Sequence, residues 1–348
     1  MTNVLDVAIR VRGLEVNFYT YAGVVKALDG ISFDVHHGEI FGLVGETGCG
    51  KSVTVASILR LVEKPGRIIG GEILYDGEDL LKKPEKEMRK IRGGEITIVF
   101  QDPMTYLNPV LRIGDQLTET IREHQDLTGE ALEIDRIKGK KSTAKKPSKK
   151  GLKEVALRRA QKALEMVKMP NPETVIDQYP HELSGGMRQR VMIAMAISCN
   201  PRLLILDEAT TFLDVTIQRQ ILELIKDLKD DLGCTLMIIT HDMGIIAEMC
   251  DRMAVMYAGT IVECADTKKI FNTPIHPYTI GLLNAIPQPM EEMKELKPLP
   301  GSVPGLINPP SGCRFHPRCP DAEERCSEVK PELRAVEEGH LVACHLNN

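Results

Sequence analysis

The chain has 348 residues, 43 % of them hydrophobic, which is enough for one large or two domains with buried cores and excludes disorder throughout. Its formal net charge of −5 gives no global basic excess that would indicate nucleic acid or an anionic membrane surface as a partner. The longest apolar run, Val191–Ile197, has seven residues, whereas a membrane helix needs about twenty. The first residues lack the pattern of a secretory signal, so we expect a chain that spans no membrane and stays in the cytosol.

Short strand-like runs alternate with helical patterns along most of the chain. These runs are apolar and rich in Val, Ile and Leu, as strands covered on both faces are. They are Ile40–Val44, Ile96–Val99, Leu203–Leu206, Thr235–Ile239 and Met253–Tyr257. The alternation predicts an α/β domain with a parallel sheet.

Shorter apolar alternations, separated by turn residues, predict a small antiparallel sheet that flanks the parallel one. They are Val7–Phe18, Lys26–Val35, Gly71–Asp76 and Thr260–Cys264.

Strand patterns are missing between Gln101 and Ser184, where residues 113–123 and 152–169 have helical spacing. We therefore expect an inserted helical subdomain over about residues 102–184. Within it, residues 136–153 contain nine basic residues and no acidic one. This composition favours a solvated, mobile loop; contact with acidic lipid headgroups or RNA is the alternative, although no aromatic residue is present to stack on bases.

The chain changes character beyond Thr273, where proline becomes frequent. Four of the nine cysteines gather in the last tenth of the chain, at positions 313, 319, 326 and 344, and the other five are expected to pack as small hydrophobic residues. We expect two domains, residues 1–269 and a separate C-terminal module, 270–348. A reducing compartment argues against a disulfide framework.

Residues 45–52, Gly-Glu-Thr-Gly-Cys-Gly-Lys-Ser, fit the pattern of a phosphate-binding loop between a strand and a helix. Its glycines let backbone N–H groups surround phosphate oxygens, and the helix N-terminus adds positive potential. Lys51 would reach the outer phosphates, and Ser52 would ligate Mg²⁺. A glycine-rich turn that only caps a helix is the alternative interpretation.

Two further segments suit phosphate chemistry. An apolar strand ends in Asp207 and Glu208, which offer one carboxylate for Mg²⁺ and one beside an attacking water. Ser184, Gly185 and Gly186 precede a helix and so form a second anion-binding helix start. One nucleotide does not need two such sites on one subunit.

Six motifs between about residues 5 and 265 together resemble the nucleotide-binding subunit of an ATP-binding cassette (ABC) transporter. They are the phosphate loop, Gln101, Leu-Ser-Gly-Gly at 183–186, Asp207-Glu208, Leu213-Asp214 and His241. The resemblance implies a P-loop NTPase core of α/β class with a flanking antiparallel β subdomain, the helical insertion and the C-terminal extension. It also implies that two such subunits enclose two ATP molecules, so that the Leu-Ser-Gly-Gly motif contacts the γ-phosphate bound by the opposite subunit.

The resemblance also implies catalytic roles. Glu208 would polarise the attacking water, and His241 would contact the γ-phosphate. Gln101 would sense Mg²⁺ and water, and would hold the ion together with Ser52 and Asp207.

For the nucleotide itself, the resemblance implies that Phe18 stacks on adenine, although Tyr19 and Tyr21 are close enough to replace it. The residues expected to bind ATP are Phe18, Gly45, Glu46, Thr47, Gly48, Cys49, Gly50, Lys51, Ser52, Val53, Gln101, Ser184, Gly185, Gly186, Asp207 and Asp214.

Three positions depart from the pattern of that family: Cys49 replaces a hydroxyl or small residue, Ala209 replaces proline, and Phe212 replaces a small residue. Phe212 puts in question how closely the loop through Asp214 packs across a dimer. For Cys49, backbone amides and Lys51 would lower the thiol pKa and favour a thiolate that ATP shields; an inert small side chain is the alternative.

The extension resembles the C-terminal part of ATPases that serve oligopeptide and dipeptide importers. The segments that carry the resemblance are His276–Thr279, Gly301–Leu306, Pro309–Cys313 and Pro317–Pro320. Import of di- or oligopeptides is implied, with nickel or oligosaccharide as alternative solutes.

The implied partners are a second ABC ATPase subunit, a paralogue rather than a second copy, two membrane permease subunits and, indirectly, an extracytoplasmic solute-binding protein. Residues 103–115 would contact the permease at the cytoplasmic face of the membrane. No nucleic acid is expected.

The four C-terminal cysteines are spaced C-x5-C-x6-C-x17-C, which fits neither common zinc modules nor the ferredoxin run. Four thiolates suit soft metal ions. A proline-rich segment has too few apolar residues to form a hydrophobic core, so a bound metal would be needed to hold it together. The resemblance implies a [4Fe–4S] cluster at Cys313, Cys319, Cys326 and Cys344, with zinc or metal-free thiols as alternatives. His316 or His345 could replace one thiolate, and we expect the module to be ordered by metal without affecting the ATP site.

Two rival functions come from other classes. A soluble ABC ATPase that acts on ribosomes or nucleic acid would explain the basic segment, but such proteins usually carry both ATPase halves, and this chain has one phosphate loop. A cluster-assembly ATPase leaves the proline-rich extension unexplained.

Overall fold

The computed structural model describes residues 6–138, 146–211, 213–285, 299 and 301–347. Phe212 and residues 139–145 of the basic segment lie outside the described residues. The chain divides into two compact units: the first comprises Met1–Lys83 and Thr235–Asn348, and the second is Pro84–Cys234.

The strands follow one another along both units. In chain order they are β1 Val7–Thr20, β2 Gly23–His36, β3 Ile40–Val44, β4 Gly66–Tyr75, β5 Glu78–Asp79, β6 Ile96–Val99, β7 Leu203–Asp207, β8 Thr235–Thr240, β9 Arg252–Tyr257, β10 Thr260–Asp266, β11 Arg334–Glu337 and β12 His340–Val342. The five apolar runs predicted from sequence correspond to β3, β6, β7, β8 and β9, which confirms them.

The helices are α1 Lys51–Ile58, α2 Glu85–Ile91, α3 Pro103–Tyr106, α4 Ile113–His124, α5 Thr128–Ile137, α6 Lys149–Met166, α7 Pro172–Val175, α8 Gly185–Ile197, α9 Val215–Leu232, α10 Met243–Met249, α11 Thr267–Asn272, α12 Pro277–Asn284 and α13 Glu324–Glu328. None of those in the described part of the chain combines the length and the apolar character that a membrane crossing requires.

In the first unit, β1 pairs antiparallel with β2 and β4 in a four-stranded sheet of order β2-β1-β4-β5. Buried residues alternate along β1, at Ile9 and Val11 and, beyond a register shift, at Leu14 and Val16, as expected for strands with one face on a core. Phe33 of β2 stacks on Phe41 of β3 with ring centroids 5.5 Å apart. The predicted flanking antiparallel sheet is therefore present.

The larger sheet contributes the order β11-β12-β10-β9-β3-β8 to the first unit. At its centre β3 runs parallel to both β8 and β9, and all five residues of β3 are buried. The prediction for Thr260–Cys264 was wrong, because this segment lies in β10 and pairs antiparallel with β9 in the larger sheet. A turn connects β9 and β10 directly, so β10 extends the sheet to which β9 already belongs.

The C-terminal extension contributes two strands to this same sheet. β12 pairs with β10 through Glu263↔Val342 and Cys264↔Leu341, and β11 pairs with β12. The extension thus belongs to the first unit together with the residues of the phosphate loop.

In the second unit, β6 and β7 are parallel neighbours. The predicted helical insertion contains α3 to α7, and the buried stripe of α4, Ile113, Leu117 and Ile121, follows helical spacing. The predicted basic loop over residues 136–153 was too long, because α5 extends to Ile137 and α6 begins at Lys149. Ser148 explains this start, since its hydroxyl accepts a hydrogen bond from Gly151 N (3.0 Å) and caps α6.

Candidate functional site

The phosphate loop of the first unit lies between β3 and α1, as its pattern predicts. Gly48 and Gly50 have φ angles of +82° and +112°, which favour glycine. At Gly45, a Cβ would stand 2.1 Å from the Met256 carbonyl oxygen, so only glycine fits. Thr47 and Ser52 are exposed.

The Lys51 ammonium is held against the loop that it would serve. Its Nζ donates hydrogen bonds to the carbonyl oxygens of Gly45 (2.7 Å) and Glu46 (3.2 Å). The side chain is nearly buried, so its positive charge lies at the loop itself, where phosphate oxygens are attracted.

The thiolate hypothesis for Cys49 was wrong. The side chain is fully buried, and this burial raises the pKa of the thiol even though the nearby Lys51 charge opposes the shift. The Lys51 Nζ lies 3.8 Å from the Cys49 sulfur. Cys49 is therefore a protonated packing residue of the loop at neutral pH.

Glu46, the second residue of the loop, contacts the C-terminal extension. Its carboxylate accepts two hydrogen bonds from the Arg318 guanidinium, at 2.7 and 3.1 Å. Its backbone N–H donates to the Tyr278 hydroxyl at 3.0 Å. Further along the loop, the Cys49 carbonyl accepts a hydrogen bond from Gly259 N at 2.7 Å. The loop is thus held from outside at two positions, Glu46 and Cys49.

The candidate adenine-stacking residue lies on β1. Phe18 is half-buried and faces Gly66 of β4, where a Cβ would approach the ring to 2.7 Å. Tyr19 is exposed, with the Arg67 guanidinium 5.4 Å from its ring centre, and Tyr21 is fully exposed. All three aromatic residues thus remain candidates for stacking.

His241, also of the first unit, follows β8 and is exposed. The next residue, Asp242, caps α10 by accepting a hydrogen bond from Gly244 N at 2.7 Å. The histidine is therefore placed between a buried strand and a capped helix.

In the second unit, the structure brings Gln101 and Glu208 together. Gln101 follows β6, Glu208 follows the neighbouring strand β7, and the Gln101 amide donates to the Glu208 carboxylate at 3.0 Å. Asp207 is the last residue of β7. The carboxyl ends of the two parallel strands thus carry an amide and two acids.

Ser184 and Asp214 each cap a helix of the second unit. The Ser184 hydroxyl accepts from Met187 N (3.3 Å) at α8, and the Asp214 carboxylate accepts from Ile217 N (2.9 Å) at α9. The two helix starts are adjacent, because a Cβ on Gly186 would stand 3.0 Å from Ile217. Gly185 faces open space, which suits close approach of an anion to the start of α8.

The four C-terminal cysteines are free thiols in the structure. The pKa of Cys313 is raised to about 11, chiefly by burial and in smaller part by the nearby Cys326 and Cys344. Burial likewise raises the pKa of Cys319, to which the same two cysteines contribute. Among the described residues, no three His, Cys, Asp or Glu side chains are grouped closely enough to hold a single metal ion.

The two candidate histidine ligands are held by backbone groups. A His316 ring nitrogen lies 2.9 Å from the Cys313 carbonyl, and one of His345 lies 2.7 Å from the Val329 carbonyl. These bonds engage one nitrogen of each ring.

Sequence reasoning gave no role to Tyr278 and Arg318, although both lie in the motifs that carry the resemblance of the extension. The available signal was Glu46, because a carboxylate within an anion-binding loop needs a compensating positive charge. No pattern in the sequence indicates that the charge comes from a residue so distant along the chain.

Comparison with known proteins gives concordant results. A family model described as ABC transporter matches residues 28–211, and one described as oligopeptide/dipeptide transporter, C-terminal region, matches residues 262–326. The chain is 46 % identical over 345 residues to a probable peptide ABC transporter ATP-binding protein of Sinorhizobium fredii, covering 99 % of this chain and 96 % of that protein. It is 44 % identical, with the same coverage, to the dipeptide transport ATP-binding protein DppD of Bacillus subtilis.

Among solved structures, a dimeric bacterial ABC transporter cassette matches with a TM-score of 0.60 and 24 % identity, covering 74 % of this chain and 98 % of that one. This likeness confirms the predicted cassette fold.

Proposed function

Because the chain belongs to the ABC transporter family, we propose that it is the ATP-hydrolysing subunit that powers uptake of di- or oligopeptides through membrane permeases. The observation that carries the proposal is the second family match over residues 262–326, which continues the cassette with the C-terminal region of peptide transporters. Relatives named for peptide or dipeptide transport align over 99 % of the chain. A ribosome- or nucleic-acid-directed ATPase does not account for this extension.

ATP hydrolysis requires that water attack the γ-phosphate while its charge is stabilised. We assign water polarisation to Glu208, whose carboxylate the Gln101 amide orients by the 3.0 Å hydrogen bond. Lys51 and the loop N–H groups bind the phosphates, and His241 contacts the γ-phosphate. Phe18 is assigned to adenine.

Mg²⁺, when bound, neutralises phosphate charge and orients the phosphates for in-line attack. The hydroxyl of Ser52, the carboxylate of Asp207 and the amide oxygen of Gln101 are hard oxygen donors of the kind that this ion prefers. We assign the ion to these three residues.

We propose that two ATPase subunits close on two ATP molecules. Ser184, Gly185 and Gly186, at the uncovered start of α8, would bind the γ-phosphate held by the second subunit. Asp214, at the adjacent start of α9, would line the same interface. Shifting the ATPase dimer from 1 % closed to 99 % closed requires that ATP bind the closed state about 5.5 kcal/mol more favourably than the open state. Closure of the dimer then drives the permease.

The proposed complex contains a paralogous ATPase, two permease subunits and, indirectly, a solute-binding protein. It places this chain at the cytoplasmic face of the membrane. Residues 103–115, next to Gln101, would contact the permease; they include the exposed Met104, Tyr106 and Val110.

Transport by the complete complex in proteoliposomes tests the function. We expect ATP-dependent accumulation of labelled di- and oligopeptides that is lost with Glu208→Gln in this chain. Nickel and oligosaccharide serve as matched competing solutes. Uptake of either of these without peptide uptake would contradict the peptide assignment.

We further propose that Cys313, Cys319, Cys326 and Cys344 hold a [4Fe–4S] cluster. Their gathering in the last tenth of the chain and their free thiols support a shared site. Four cysteine thiolates are the usual ligand set of such a cluster, and they would also suit zinc.

Anaerobically purified protein should be brown and contain close to four iron atoms per chain. Cys326→Ser should lose iron, whereas Cys199→Ser, which changes a cysteine outside the group, should retain it. Stoichiometric zinc without iron would exclude the iron–sulfur cluster. The absence of any metal would exclude both the cluster and a zinc site.

A further inference from the structure

An acidic residue in a phosphate-binding loop needs an explanation. Glu46 places a carboxylate within a loop whose backbone amides and Lys51 attract phosphate, so its negative charge opposes the binding of an anion. The side chain of Glu46 is 29 % exposed and cannot rely on water alone to screen its charge. A positive partner for this carboxylate would therefore favour the binding of ATP by the loop.

Arg318 provides this positive charge from the extension. Its guanidinium meets the Glu46 carboxylate through two hydrogen bonds, the geometry of the strongest Arg–carboxylate pairs. The Arg318 side chain is only 7 % exposed, so removal would leave a poorly solvated carboxylate in the loop.

The position of Arg318 is itself fixed by aromatic residues. Its guanidinium lies 5.7 Å from the ring centre of Tyr257. The ring centroid of Tyr257 is 4.6 Å from that of Tyr278 and 5.1 Å from that of Phe315. All three aromatic residues are fully buried, and Tyr278 also accepts the Glu46 backbone N–H. One rigid cluster therefore holds both the side chain and the backbone of Glu46.

We propose that Arg318 and Tyr278 of the C-terminal extension are positioning residues of the ATP site, Arg318 by neutralising and orienting Glu46 and Tyr278 by fixing its backbone. The inference rests on ATP binding by this loop. Peptide uptake plays no part in it.

The charge effect predicts a specific pattern of ATP affinity. In the full-length chain, Arg318→Gln should weaken equilibrium binding of a fluorescent Mg²⁺–ATP analogue by about tenfold or more. The double variant Arg318→Gln/Glu46→Gln should bind the analogue at least about threefold more tightly than Arg318→Gln, because it no longer carries the uncompensated carboxylate. Arg334→Gln, which removes an exposed arginine of the extension, is the matched control and should bind as the wild type does.

The positioning effect has a readout that needs no nucleotide. Hydrogen exchange of the nucleotide-free chain should become faster over residues 45–52 in Arg318→Gln and Tyr278→Phe, and stay unchanged in Arg334→Gln. Tyr278→Phe removes one hydroxyl from the aromatic cluster and keeps its packing. This variant therefore tests whether the extension positions the loop even if Arg318→Gln does not fold.

Three results would overturn the proposal: wild-type affinity in Arg318→Gln, a double variant no tighter than Arg318→Gln, or unchanged exchange of the loop in Tyr278→Phe. A failed peptide-uptake experiment would leave all of these measurements intact, so the two proposals fail separately.

Discussion

Glu208 holds its carboxylate on a backbone that few residues other than glycine adopt, with φ of +48°. Such a conformation costs about 1–3 kcal/mol and persists where its surroundings enforce it. The Glu208 carbonyl accepts hydrogen bonds from the Thr211 backbone N–H (3.2 Å) and hydroxyl (3.0 Å). These bonds and the Gln101 contact direct the carboxylate, which suits a residue that must point at one water molecule.

Glu208→Gln should keep ATP binding and lose steady-state hydrolysis by about a hundredfold or more, because the amide keeps the shape but cannot take the proton or polarise water. The measurement is ATPase rate beside nucleotide affinity in the assembled complex. Lys51→Ala is the contrasting variant and should weaken binding itself. Near-normal turnover in Glu208→Gln would refute the assignment.

Cys49 should react slowly with alkylating reagents at neutral pH, with or without Mg²⁺–ATP. Burial both shields the sulfur and raises the thiol pKa, so little thiolate is present to react. Mass spectrometry after timed labelling of the folded chain measures this, and the urea-unfolded chain gives the full extent of labelling. Fast labelling that ATP suppresses would show that the buried placement is wrong.

At the scale of elements, Glu263 joins three parts of the first unit. The fully buried carboxylate on β10 accepts hydrogen bonds from Ile275 N (2.9 Å), His276 N (3.0 Å) and a ring nitrogen of His340 (2.7 Å). The start of α12 and strand β12 are thereby fastened to β10. His276 then caps α12, because its Nδ1 accepts a hydrogen bond from Tyr278 N at 3.1 Å.

This junction predicts acid sensitivity. Burial lowers the pKa of His276 from 6.5 to about 3, so the unfolded chain takes up a proton first as pH falls. His276 therefore contributes stability that is complete above about pH 6.5 and lost progressively below it. Between pH 7.5 and 5.5 the free energy of unfolding should fall by about 1.4 kcal/mol from this residue.

His276→Asn removes the group that takes up the proton and keeps an acceptor that can cap α12. Between pH 7.5 and 5.5, the free energy of unfolding of this variant in urea should therefore fall by about 1.4 kcal/mol less than that of the wild type. The exposed His181 supplies the matched control, His181→Asn, which should follow the wild type. If acidification from pH 7.5 to 5.5 lowered the free energy of unfolding equally in the wild type and in His276→Asn, His276 would not be a source of the acid sensitivity.

At the scale of the whole molecule, local patterns predicted local structure well. The loop at residues 45–52 and the strands β3, β7 and β8 are specified by glycine spacing or by short apolar runs, so neighbours in sequence suffice. Thr260–Cys264 was misplaced because apolar alternation gives a strand but not its partner. Its pairing depends on β9 on one side and on β12, far along the chain, on the other.

The same reason explains the contacts that sequence left out. The motif through Arg318 indicated a family, but its salt bridge to Glu46 joins residues 272 positions apart, which only the folded chain brings together. The fate of Cys49 likewise depended on burial, which reversed the pKa shift expected from Lys51 alone. The sequence motifs identified these side chains, but only the packing of the folded chain determines the partner of Glu46 and the protonation of Cys49.

The sequence alone led us to expect that the C-terminal module does not affect the ATP site. In the structure the extension and the phosphate loop share one unit, so we now expect removal of the extension to damage the ATP site. A chain ending at Asn272 lacks Tyr278, Arg318 and the strand that covers β10, leaving the edge of the sheet unpaired. We expect aggregation, or a midpoint of thermal unfolding lowered by more than about 5 °C, with ATP binding at least about tenfold weaker. Thermal unfolding and nucleotide titration measure this, with full-length Arg334→Gln as the control. A shortened chain that unfolds cooperatively at the full-length temperature and binds ATP equally well would establish the extension as an independent module.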